Sequence, residues 1–262
     1  MPWHYFEAMT DTITTATPTD TIRALLDTSK RSHVPIRNVF VQQGEGKKRQ
    51  PGPLKALLST SNARSLDLYL LILAKCSAAP FDVTLEGHEV WARALAVFAK
   101  SASTAVSKSL GRLERLSLIS RVRKGRRCQI TLLNESGDGT AYDKPKKRYF
   151  RLPHEYWTEN WHQTLSMPAK TALLIALSLN YKSPFRLPTE KGPDWYGISS
   201  DSLQRGLKEL CDRELLDRAQ RPKTAPLSKR GFTLESFYSL NAPFQNARDT
   251  KGAKVLTLPT SA

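Results

Sequence analysis

Two stretches of this chain carry the same apolar spacing 97 residues apart, and that repeat constrains the fold more than any other feature. "TAVSKSLGRLERLSLISRVRKG" begins at Thr104 and "DSLQRGLKELCDRELLDRAQRP" at Asp201. When they are superimposed, Val106 falls on Leu203, Leu110 on Leu207, Leu113 on Leu210, and Leu118-Ile119 on Leu215-Leu216. Apolar residues three and four apart make one stripe of an α-helix. Each stretch is therefore expected to be a helix with a buried leucine face that runs into a β-pattern. Upstream, "RSLDLYLLILAKCS" and "SMPAKTALLIALSL" read as apolar helices, the second with Ser166 as cap and Pro168 in its first turn. Short strand-like pieces precede them, Asn38 to Gln42 and Arg148 to Pro153, and basic hairpin patterns follow. The order strand, helix, helix, helix, hairpin thus occurs twice.

The segments between and around the copies set the expected boundaries. Residues 1–36, rich in Thr, Asp and Pro, read as a mostly flexible arm with one short helix within Asp20 to Lys30. A first domain then spans 37–133, a Gly-, Asp- and Lys-rich linker 134–148, a second domain 149–241 and a flexible tail 242–262.

Charge speaks to partners rather than to fold. Forty Lys and Arg against 24 Asp and Glu give a net charge of +16, and a strong positive field draws polyanions. Nucleic acid is the first expectation and anionic membrane the second. The longest apolar run, Leu68 to Ala74, falls far short of the roughly 20 residues that span a bilayer. The first residues lack the basic and apolar segments of a secretory signal. Cys76, Cys128 and Cys211 lie far apart and are odd in number, which fits a reducing compartment better than a disulfide framework. A cytoplasmic, nucleoid-associated protein is expected, with no membrane partner.

"WARALAVFAKSASTAVSKSLGRLERLSLI", Trp91 to Ile119, holds the spacing SxxLxxLxxxxLI and leads into a basic hairpin. This pattern resembles a winged helix-turn-helix. The second copy is similar but departs at "FRLPTEKGPDWYGISSDSL", Phe185 to Leu203, which is polar and broken by proline where a second helix belongs. The resemblance implies a helix-rich α+β fold of two tandem winged-helix domains whose partner is double-stranded DNA. The tandem layout is similar to that of plasmid replication initiators and bacterial transcriptional regulators.

Helical geometry selects the residues such a protein would use. In the first copy Thr104, Lys108, Gly111, Arg112 and Arg115 gather opposite the apolar stripe, with Ser107 at its shoulder. Ser101, Ser103, Thr104 and Ser107 put small hydroxyls at the helix start, the end by which a recognition helix enters the major groove. In the second copy Ser200, Ser202, Gln204, Arg205 and Lys208 take that part, and Gln204 and Arg205 suit adenine and guanine edges. Arg121, Arg123, Lys124, Arg126 and Arg127 fall where the first wing belongs, with Val122, Ile130 and Leu132 expected to face inward. The second wing would carry Arg218, Arg221, Lys223, Lys229 and Arg230. Wing cations are expected to contact phosphates and helix residues to choose the sequence.

A catalyst is not expected. No HxH pair accompanies a tyrosine as in rolling-circle initiators, no His stands three before an Arg as in tyrosine recombinases, and no P-loop occurs. No cofactor or metal site is expected. Three readings remain: a sequence-specific transcriptional regulator, a replication initiator on repeated origin sites, and an architectural or RNA-binding protein that uses charge alone. Two copies in one chain could cover adjacent groove segments without a dimer, although a homodimer is compatible. Because both copies run in the same chain direction, the target is not required to be palindromic.

Overall fold

A computed structural model describes residues 15–29, 31–59, 63–85, 87–98, 100–125 and 127–245. The fold is mixed α+β with four small sheets among these residues. Its centre is a pair of long apolar helices, α2 (Ala63–Lys75) and α7 (Met167–Leu179), each buried along most of its length. A helix apolar on all sides has no solvent face to offer, so both lie inside the molecule. Ser166 caps α7, its hydroxyl accepting from Ala169 N at 3.3 Å.

Around each central helix the chain builds the same unit. The first runs from α2 to β4 (Asp82–Leu85), α3 (His88–Ala94), α4 (Ala102–Arg115), β5 (Ile119–Lys124) and β6 (Arg127–Leu132). The second runs from α7 to β8 (Phe185–Arg186), α8 (Gly192–Tyr196), α9 (Ser200–Asp212), β9 (Leu216–Thr224) and β10 (Phe232–Leu240). The sheets are ordered β4-β6-β5 and β8-β10-β9, so in both units the short strand joins the far side of the hairpin.

The leucine stripes do what their spacing predicts. Val106, Leu110 and Leu113 of α4 and Leu203, Leu207 and Leu210 of α9 are buried, as are Leu118, Ile119, Leu215 and Leu216. Each such side chain contributes about 1.5–3 kcal/mol. Both helices also stop alike. Ser117 and Glu214 adopt left-handed backbone at φ 53° and 59°, and Leu118 N and Leu215 N bond back to Leu113 O and Leu210 O at 3.1 and 2.9 Å. That six-residue closure satisfies carbonyls a helix end otherwise leaves open. Where the sequence is polar and proline-broken, the second unit still holds a helix, α8, of five residues.

Residues 15–29 and 31–36 hold α1 (Pro18–Leu26) and most of β1 (His33–Arg37), and Ile22, Leu26, Val34 and Ile36 are buried in the common core, so this part of the expected arm is packed. A capping box between Thr17 and Asp20 starts α1. Residues 1–14 lie outside the described residues, as do 246–262 of the expected tail. Asn38 to Phe40 form a 3-10 turn rather than a strand, because consecutive Phe40 and Val41 both point inward, which an alternating strand cannot do.

The expected linker is also anchored. Glu135 is fully buried and pairs with Arg37, which also pairs with Asp143. Burial pushes the Glu135 carboxyl above its usual range, an effect Arg37 offsets only in part.

The two units are joined through their cores. Strand β1 pairs antiparallel with β7 (Tyr149–Pro153), with Pro35 opposite Arg151 at the centre. Lys170 of α7 meets Asp67 of α2 at 2.7 Å, and the Tyr156 hydroxyl donates to the same carboxylate at 3.1 Å. Tyr156 and Trp157, in the short helix α5 (Glu155–Thr158), are buried here. No helix among the described residues is long and apolar enough to cross a membrane.

Candidate nucleic-acid interface

With the leucine stripe turned into the core, α4 presents Thr104, Ser107, Lys108 and Arg115 to solvent, and Ser101 is exposed just before its first turn. Arg112 is half-buried on the same helix. Ser103 is committed elsewhere, its hydroxyl donating to Glu89 Oε1 of α3 at 2.6 Å. That bond holds the Glu89 carboxyl below its ordinary range.

The first hairpin divides its cations by strand parity. Ile119 stands opposite Leu132 and Arg121 opposite Ile130, so those four share the inner face, while Val122 opposes Gln129 on the outer one. Val122 is accordingly 54% exposed, a correction to its expected inward place; Ile130 and Leu132 are buried as expected. Arg121, on the inner face, lies across α4 and its Nε donates to Glu114 Oε2 at 2.9 Å. Arg123 Nε donates to Gly125 O at 3.2 Å, and Gly125 takes φ 61° in the turn, a backbone conformation that favours glycine. Arg127 opens β6 and is exposed. Arg126 and the Lys124 side chain lie outside the described residues. Arg121, Arg123 and Arg127 wall a concavity of ≈ 570 Å³ with His88, Glu114 and Cys128.

The second unit arranges equivalent parts around a larger groove of ≈ 970 Å³ between α9 and its hairpin. Gln204, Arg205 and Lys208 line it from the helix and Arg218 from β9. Gln204 Nε2 donates to Thr189 Oγ1 at 3.2 Å, and Arg205 Nη2 to Ser202 Oγ at 3.1 Å. Ser199, just ahead of α9, accepts from Ser202 N at 3.2 Å, so Ser202 belongs to the helix cap as well as to the surface. Ser200 is half-buried in that first turn. Lys208 pairs with Asp212 at 2.6 Å. An exposed pair of this spacing contributes only about 0.3–0.5 kcal/mol, so a phosphate could displace the carboxylate. Glu209 is turned away from the groove, bonded by Ser166 N at 3.0 Å.

The β9–β10 hairpin stands out from the body. Every residue of β9 after Leu216 is exposed, and nine pairs hold the arm together. Arg218 donates to Ser236 Oγ at 2.9 and 3.1 Å, Arg221 lies 4.9 Å above the Phe237 ring, and Lys223 pairs with Glu235 at 3.0 Å. Lys229 and Arg230 are exposed in the terminal turn beside fully exposed Leu227.

Arg186 and Thr189, absent from the residues expected here, also line the groove, from β8 and the turn after it. Arg186 pairs with Glu235 at 2.8 Å. The signal was the short alternation "FRL" inside a stretch read only as broken. Acidic Glu190, Asp201 and Glu235 share this groove with the cations Arg186, Arg205, Lys208 and Arg218.

Compared with known proteins, the chain matches no family model, no curated protein and no solved structure.

Proposed function

We propose that this chain is a sequence-specific double-stranded DNA-binding protein, made of two tandem winged-helix units, that regulates transcription. The observation that carries the reading is the repetition itself. Two units of one topology each leave a hydroxyl- and cation-bearing helix face uncovered beside a basic hairpin, in a chain of net charge +16. In this reading the N-terminal halves of α4 and α9 enter the major groove. Thr104, Ser107 and Lys108 act from the first and Gln204 and Arg205 from the second. Arg123, Arg127, Arg221, Lys229 and Arg230 hold phosphates on either side and set affinity.

The test is selection of bound duplexes from a random-sequence pool at physiological salt, followed by sequencing. A defined motif of two half-sites is expected. Tight, salt-sensitive binding with no enriched motif would refute sequence reading by the helices and leave an architectural or RNA-binding role. The genomic positions of the motif decide its use: promoter sites support regulation, whereas clustered repeats at an origin would replace regulation with replication initiation.

A further inference from the structure

The two units meet through contacts between their own equivalent parts. Strand β1 leads into the first central helix and β7 leads towards the second, and these counterparts pair antiparallel about Pro35 and Arg151. A second contact joins α2 and α7 at matching heights, since Asp67 is the fifth residue of one and Lys170 the fourth of the other. A third contact is reciprocal. Gly197, at the end of α8, sits against Lys55 in the turn before α2, so close that a Cβ there would stand 2.4 Å from Lys55 Cγ. Across the molecule the Ala94 backbone, at the end of α3, lies against His162 in the short helix before α7. Self-pairing at two places with one exchanged contact is the signature of a two-fold axis.

We infer that α4 and α9 are related by an internal two-fold axis, and that the DNA target is an inverted pair of unlike half-sites at one fixed spacing. The inference rests on the nucleic-acid reading above and goes beyond it. Chain direction does not decide the matter, because two units in sequence order can be packed back to back or head to tail. A dyad running between the reading helices presents them to opposite strands of one duplex, as symmetric dimers do. The halves differ in sequence because Ser107 and Lys108 in α4 are replaced by Gln204 and Arg205 in α9. The spacing is fixed because the shared strand pair and the buried Asp67–Lys170 contact leave no free linker between the units.

The experiment uses the full chain and duplexes assembled from the two selected half-sites, placed inverted or direct, at spacings varied one base pair at a time across about one helical turn. The inverted arrangement at a single spacing is expected to bind at least about tenfold more tightly than any direct arrangement, a difference of about 1.4 kcal/mol. Lys108→Ala should relax base choice in one half only and Arg205→Ala in the other. Equal or tighter binding to a direct arrangement, or binding that ignores spacing, overturns the dyad while leaving the DNA-binding reading intact. Absence of any selective duplex binding overturns both.

Discussion

Replacing Lys170 with methionine would leave the Asp67 carboxylate buried between α2 and α7 without its counter-charge. The two side chains are only 7% and 11% exposed and stand 2.7 Å apart. Burial already pushes the Asp67 carboxyl above its ordinary range, with Lys170 and Tyr156 acting the other way. Removing one partner of a buried pair costs about 3–5 kcal/mol, because the remaining charge is uncompensated. The Tyr156 hydrogen bond survives the change, which puts the expected loss for Lys170→Met near the lower end, about 3 kcal/mol. Urea unfolding at pH 7.5 measures it.

Two further results belong to the same reasoning. The loss should shrink as the pH falls, because a protonated Asp67 no longer needs a cation. The double variant Asp67→Leu with Lys170→Met should recover to within about 1–2 kcal/mol of the parent, since an apolar pair can replace a buried ionic one. A Lys170→Met loss below about 1 kcal/mol, or a double variant no better than the single one, would refute this account of the joint.

Gly206→Ala should destabilise by about 1–3 kcal/mol or more, because its Cβ would stand 2.3 Å from Pro168 O where α9 crosses α7; an unchanged urea midpoint would contradict that approach. His162 is held down to about 4 from 6.5, first by burial and then by the Lys170 charge. Its contribution is therefore complete above pH 6.5 and is lost as the pH falls towards 4, about 2 kcal/mol by pH 5. His162→Gln should lack that part of the slope between pH 7.5 and 5, and a parallel loss in both proteins would assign it to other groups. Arg123→Ala with Arg127→Ala should weaken binding to every duplex and reduce the salt slope by about 0.9 for each phosphate left unneutralised. Unchanged affinity at moderate salt would remove the first hairpin from the interface.

The repeat was legible because a leucine stripe states its own period. Val106, Leu110 and Leu113 fix which face of α4 is buried without reference to the rest of the chain, and so by exclusion which face is exposed. The hairpin was legible only as a hairpin. The order in which cations and apolar residues follow one another does not give the strand parity, and parity decides that Val122 faces outward and Arg121 lies over α4. What joins the units was hidden for a different reason. Arg37 with Glu135 and Asp67 with Lys170 are separated by 98 and 103 residues, and such partners leave no periodic trace near either member. Polar composition around Glu135 read as a linker because its buried partner lies in another part of the chain.

The pairing of β1 with β7 also sets an order of events during synthesis. Residues 33–37 emerge well before residues 149–153, and at roughly 5–20 residues per second the interval is on the order of 6–23 s. Throughout it Val34 and Ile36, both buried in the finished protein, have no strand to pair with. The first unit can gather its helices in that time, but its edge stays open until Phe150 and Leu152 arrive. A ribosome stalled before Tyr149 would therefore present a half-built protein whose unpaired strand is a docking point for chaperones or for another nascent copy.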